Sequence, residues 1–275
     1  MEEQFKYLLS PHTDGLSAFS AKMTEFSYAK HAHEEYSIGI TCTGRQDFFS
    51  DGAYHKSNAG NIVFFNPEQV HDGCAGAGLP LEYQMLYIPK PLMVNLMQSV
   101  GDFNSNHARL SSSLFHDTGL RQQVFTLMHL MQNPDEYSAI EEEQMLLGVA
   151  QSILRVGGGR VEQRSPQTRN DALIKRAKEF IHYNLGRKIT VDEIANAACV
   201  SKFHFIRMFS EQVGMTPHQY VLISRINKCK MALESGEKAV DMAMELGFSD
   251  VSHLNRKFKS IFGITPNQYQ RQLFT

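Results

Sequence analysis

The octapeptide VGMTPHQY, Val213 to Tyr220, returns near the end of the chain as FGITPNQY, Phe262 to Tyr269, 49 positions later. The likeness runs backwards from there. Phe209 matches Phe258, Arg207 matches Arg256 and His204 matches His253 at the same offset. Further back the offset falls to 48, where Ala195 matches Ala243 and Cys199 matches Gly247. A stacked solenoid needs about three or more copies to bury its faces. Two copies are instead a duplicated module, and each must perform the same task once.

Each copy reads as a short helix, a tight break and a second helix. In the first, VDEIANAA is followed by Cys199-Val200, and Ser201 is placed to cap KFHFIRMFSEQV. In the second, EKAVDMAMEL is followed by Gly247-Phe248, and Ser249 or Asp250 is placed to cap VSHLNRKFKSIF. A supporting helix, a short turn and a presented helix make a helix-turn-helix. Gly214 and Gly263 end the presented helices, and the Thr-Pro that follows starts the next helix. Phe205 and Phe209, and Leu254 and Phe258, lie four residues apart and are assigned to the core. The opposite faces carry Lys202, Phe203, Ile206, Arg207 and Ser210 in the first copy. In the second they carry Val251, Ser252, Asn255, Arg256 and Lys259. Arginine pairs with guanine, asparagine with adenine, and apolar groups touch the thymine methyl. Solvated faces need not repeat the phase of an arginine, and these two do.

Charge is distributed to match. Asp171–Thr275 holds 15 basic and 10 acidic residues, a balance of +5, while Met1–Asn170 holds 12 and 19, a balance of -7. A basic carboxyl-terminal part attached to an acidic front suggests a polyanionic partner for the former. No apolar run approaches the roughly 18 residues of a membrane span. The amino terminus carries no signal-peptide pattern, and Cys42, Cys74, Cys199 and Cys229 show neither CxxC nor zinc-finger spacing. A reduced, cytoplasmic protein without membrane association is the simplest expectation.

The 275 residues suffice for two domains. We expect a front domain over 1–155, a linker over 156–170 opened by three glycines, and a helical domain over 171–275. The first hundred residues read as short strands. YSIGITCTG alternates as a half-buried strand, Ser50-Asp51-Gly52 signals a hairpin, and GNIVFFNP and LEYQMLYIP are further strands. Such a run of strands argues a small β-sandwich or barrel. GLRQQVFTLMHLMQN and IEEEQMLLGVAQSILRV have helical periodicity. The stripe Met145, Leu146, Val149 and Ile153 either covers the front domain's own core or pairs with a second chain as a homodimer.

Residues from about 171 to 275 resemble the DNA-binding domain of the AraC/XylS family of transcription regulators. ELGFSDVSHLNRKFKSIFGITPNQY and EIANAACVSKFHFIRMFSEQVGMTPHQY carry the likeness. It implies seven helices, with Gln219–Leu233 as the rod joining the two motifs, and DNA contacts from the ten outer-face residues named above. Promoter DNA is the implied partner, with RNA polymerase as a second if the protein activates. Ile206 departs from the family, standing where a polar base reader is common.

HAHEEYSIGITCTG, with FFNPEQVHDG about 30 residues on, resembles the cupin-type β-barrel that precedes many such DNA-binding domains. The expected fold is therefore a two-domain α+β chain: a cupin-like β-barrel with trailing helices, then an all-α domain with two helix-turn-helix motifs. Metal-dependent cupins use an HxH pair, a nearby glutamate and a later histidine. His31, His33 and His71 match three positions, but Ser37 and Ile38 stand where the glutamate belongs. The expectation is accordingly no metal, no cofactor and no catalysis, with His31, His33, Tyr36 and His71 lining a site for an unidentified small-molecule effector. A metal-dependent enzyme fused to a DNA-binding domain is the alternative, and a front domain that binds a protein partner is a third.

Overall fold

The computed structural model describes residues 3–100, 109–157 and 169–274. The chain divides into two compact units, Met1–Gln163 and Arg164–Thr275. Residues 158–168, the greater part of the expected linker, lie outside the described residues; helix ends flank them at Val156 and Arg169.

The first unit contains β1 (Gln4–Leu9), β2 (Ser17–Met23), β3 (Ser27–His31), β4 (Tyr36–Thr43), β5 (Arg45–Ser50), β6 (Ala53–Asn58), β7 (Ile62–Phe65), β8 (His71–Ala75), β9 (Leu81–Ile88) and β10 (Leu114–Phe115). Its helices are α1 (Lys90–Val100), α2 (Thr118–Gln132) and α3 (Ala139–Val156). The strands form two antiparallel sheets, one ordered β1-β2-β9-β4-β7-β10 and the other β3-β8-β5-β6. No ladder joins them among the described residues. This corrects the expected barrel. Closure needs edge strands to meet in a sheared register, whereas here β1 and β10 terminate one sheet and β3 and β6 the other. The sheets pack face to face instead, as Phe48 against Phe65 and the buried Thr41–Ser57 hydrogen bond show. The hairpin at Ser50-Asp51-Gly52 is present, with Asp51 and Gly52 both at positive φ (49° and 78°), the backbone a tight two-residue turn demands.

β4 is not half-buried as its alternation predicts. Both its faces are covered. Tyr36, Ile38 and Ile40 join the apolar core beneath the helices. Ser37, Gly39 and Thr41 face the second sheet, so their small or polar character marks a second interior rather than solvent. The helices close the first core. Asp117 caps α2 by accepting from the Leu120 amide at 2.8 Å. Ser138 and Glu141 form a capping box on α3. Leu146, Val149 and Ile153 of α3 are fully buried in this core, each contributing about 1.5–3 kcal/mol by burial. Met145 packs half-buried at the edge of this core, so most of the stripe considered for dimerisation is consumed within one chain.

The second unit is helical throughout: α4 (Arg169–Tyr183), α5 (Val191–Ala197), α6 (Lys202–Val213), α7 (Pro217–Glu234), α8 (Ala239–Glu245), α9 (Val251–Phe262) and α10 (Pro266–Leu273). The repeated octapeptide is a corner. Gly214 and Gly263 take φ of 79° and 77° and end α6 and α9 in the left-handed conformation. Thr216 and Thr265 then cap α7 and α10, with Gln219 and Gln268 completing capping boxes and proline at the first helical position. The closing tyrosines are buried anchors. Tyr220 packs edge-on against Phe209 and Tyr269 against Phe258. Each octapeptide therefore fixes the angle between a presented helix and the helix that follows it.

Candidate nucleic-acid interface and histidine cluster

α5 and α6, and α8 and α9, are the two helix-turn-helix pairs. The turn positions Cys199 and Gly247, matched in sequence, both have left-handed backbone, at φ 57° and 67°. On α6 the side chains divide as the sequence predicts. Phe205 and Phe209 are fully buried, while Lys202, Phe203 and Arg207 are exposed and Ile206 and Ser210 are half-buried. Phe203 is 83% exposed on this face. On α9, Leu254 and Phe258 are buried, Ser252, Arg256 and Lys259 are exposed, and Val251 and Asn255 are half-buried.

One cap differs from expectation, and the other settles between the two candidates. Ser201 occupies the cap position of α6 but makes no side-chain cap bond. Asp250 caps α9 by accepting from the His253 amide at 2.7 Å. That bond, with the Ser249 hydroxyl and the nearby Arg256 charge, holds the Asp250 carboxyl below its ordinary range. The better-defined entry is thus on the second presented helix, not the first. Lys202 is held by Asp192 of α5 at 2.7 Å.

The front unit gathers the three histidines. His31 and His71 are directly opposite on β3 and β8, and His33 follows two residues after β3. Cross-strand partners hold their Cβ atoms close enough for rings to touch. The ring centroids are 4.4 Å apart for His31–His71, 4.7 Å for His31–His33 and 5.2 Å for His33–His71. All three are buried. Phe65 stacks on His71 at 3.7 Å, and Tyr87 meets His33 edge-on. The His31 Nδ1 lies 2.6 Å from the Ala29 carbonyl and the His71 Nδ1 2.8 Å from that of Gln69. A carbonyl only accepts, so both Nδ1 atoms carry the proton and Nε2 keeps its lone pair. Burial pushes His31 down to about 4, against smaller raising effects of Ala29 and Asp72. Burial and the two neighbouring imidazoles push His71 well below the ordinary histidine range.

Tyr36 is not part of this cluster. It lies on the other face of β4, packed near Phe64 in the helix-side core. The neighbour that alternation puts on the histidine side is Ser37, opposite both Phe65 and Tyr87 in register. Its hydroxyl is buried without a hydrogen-bond partner.

These two constellations have counterparts in known families. A model for a helix-turn-helix domain matches residues 194–272, and one for an AraC-like ligand binding domain matches residues 15–149. The chain belongs to the AraC/XylS family. It is a transcription regulator of the AraC type rather than an enzyme. Among relatives, the uncharacterized HTH-type transcriptional regulator YbfI of Bacillus subtilis is 26% identical, across 90% of this chain and 88% of its own. The transposon Tn10 TetD protein of Escherichia coli is 31% identical over 36% of this chain and 72% of its own length. The crystal structure of unsaturated fatty acid-bound wild-type ToxT from Vibrio cholerae shares the fold, with a TM-score of 0.65 over 96% of this chain and 98% of that one, at 15% identity. No described helix is long and apolar enough to cross a membrane.

Proposed function

We propose that the second unit reads promoter DNA with α6 and α9 in successive major grooves, under control of an effector bound in the front unit. The observation that carries this is the shared phase of the two presented helices. Arg207 and Arg256 are both exposed, while Phe205, Phe209, Leu254 and Phe258 are buried on the opposite side of the same helices. Arg207 and Arg256 are the guanine readers, Asn255 suits adenine, and Phe203, Ile206 and Val251 suit thymine methyls. Lys202, Ser210, Ser252 and Lys259 suit phosphate and register contacts. Grooves on one face of the duplex recur about every 34 Å, which two copies on one chain are suited to span.

The effector site we assign is the interior between the two sheets, where His31, His33 and His71 converge. ToxT, of the same fold, is described with an unsaturated fatty acid bound, which supports an effector-bearing front unit here. Residues 1–155 act as the sensing domain, with 156–170 as linker and 171–275 as reader. A homodimer formed through the front unit, and RNA polymerase as a partner of an activator, complete the reading. The test is selection of randomised sites by wild type, Arg207→Ala and Arg256→Ala. Preference should be lost at two positions about 10 base pairs apart. Loss at the same base pairs by both variants, or by neither, would end the two-reader proposal.

A further inference from the structure

We propose that His31, His33 and His71 bind one divalent transition-metal ion, of the zinc and cobalt class, with a coordination position left open. This goes beyond the effector reading, because the ion is held whether or not another molecule enters, and its test contains no DNA.

The donor set is the first ground. The ligand-capable atoms of the three histidines all lie within 4.8 Å of one another, and every ring is buried. A tetrahedral zinc site with bonds of 2.0–2.1 Å spaces its nitrogens by about 3.4 Å. A small approach of the segment carrying His71 to the one carrying His31 and His33 closes the difference. Neutral imidazole suits zinc, cobalt, nickel and copper, and three such ligands leave room for a fourth from solvent or a small molecule.

The outer contacts are the second ground. Metal-bound histidines donate their other ring nitrogen to a carbonyl or carboxylate, which fixes the tautomer. His31 does so to Ala29 and His71 to Gln69, each a carbonyl two residues earlier in the chain. Both rings are thus oriented with Nε2 available for a ligand. Phe65, Tyr87 and Tyr28 wall the cluster with rings, which restricts solvent.

The third ground is Ser37. Its buried hydroxyl lacks a partner and shares a sheet face with Phe65 and Tyr87, the two rings packed on His71 and His33. A buried hydroxyl without a partner is costly. A water or ligand on the open coordination position would satisfy it. The glutamate of a metal-dependent cupin is absent, so the site carries no carboxylate and the ion keeps its full positive charge. Such a centre favours an anionic fourth ligand.

The experiment uses the full chain, prepared without a histidine tag, stripped with chelator and titrated with Co2+. Visible d–d absorption should rise and saturate at one Co2+ per chain, and Zn2+ should abolish it. His71→Gln and His33→Gln should each weaken binding by more than about tenfold, while His218→Gln, on the exposed surface of α7, should not. Should the buried variants fail to fold, proton NMR of the wild-type Co2+ complex decides alone. It should show far-shifted exchangeable imidazole N–H signals, the protons kept on Nδ1 of His31 and His71. No saturation at one equivalent, no shifted N–H signals, or unchanged affinity in folded variants overturns the site.

Discussion

Arg225 donates a hydrogen bond to the Gly247 carbonyl at 3.0 Å, and a Cβ on Gly247 would lie 2.9 Å from the same guanidinium. Arg225 also reaches the carbonyls of Leu185 at 3.0 Å and Arg187 at 2.6 Å. One side chain of α7 therefore ties the turn of the second helix-turn-helix to the loop before the first. Gly247→Ala should destabilise the second unit by about 1–2 kcal/mol, from left-handed strain and the displaced guanidinium. Thermal unfolding of the full chain should show the second unit's transition fall, with the front-unit transition unmoved.

The matched position gives the opposite expectation. Cys199 holds φ of 57° without being glycine, and its side chain is exposed. Cys199→Gly should stabilise the second unit by up to about 1 kcal/mol, since the left-handed penalty exceeds the entropy that glycine adds. Chemical denaturation should move to higher midpoint at unchanged slope.

DNA affinity offers a test of the ion pair between Lys202 and Asp192. An exposed pair of this kind contributes little to stability. Asp192→Asn should release Lys202 and remove a charge that repels phosphate. Binding should tighten severalfold at low salt, with a steeper salt dependence, and folding should be nearly unaffected. Lys259→Ala should flatten the salt dependence and weaken all sequences alike.

Acid should act on the histidine interior. His31 is neutral in the fold, held down to about 4 mainly by burial. The unfolded chain takes that proton first, near pH 6.5. This contribution to stability is complete above about pH 6.5, declines as pH falls toward 4, and changes no further below. Melting of the front unit between pH 7 and 4 should fall more steeply in wild type than in His31→Gln.

Local grammar exposed the second unit almost completely. Capping residues, left-handed glycines and a repeated phase act over a few positions, so the corners at Thr216 and Thr265 and the faces of α6 and α9 were legible in order. The front unit was legible only by strand. Alternation in β4 marked two faces but not that both are buried, because which sheet lies opposite is a tertiary fact. Alternation alone therefore does not separate Tyr36 from the histidines, and it marks Ser37, its neighbour facing them, only as a missing glutamate. The pairing of β3 with β8, which joins His31 to His71, spans 40 positions and leaves no local signature. Sheet closure is equally non-local. The tertiary reach of Arg225 from mid-helix to three carbonyls carried no signal beyond an arginine among apolar residues.

The two corners also differ in what they lean on. Tyr220 anchors from within α7, with its hydroxyl 3.1 Å from His182 Nε2 of α4. Tyr269 donates to Glu234 at the far end of α7, where Lys230 also pairs, and Gln270 reaches the carbonyls of Leu233 and Glu237. The second copy thus borrows its footing from the helix that closes the first. A chain ending at Gly236 would keep the His182–Tyr220 contact and the Arg225 bonds to Leu185 and Arg187, whereas one beginning at Glu237 would lose both the Arg225 tie and the Glu234 anchor. The halves of the duplication are no longer interchangeable: the rod between them steadies the first copy near its start and the second from its middle and end.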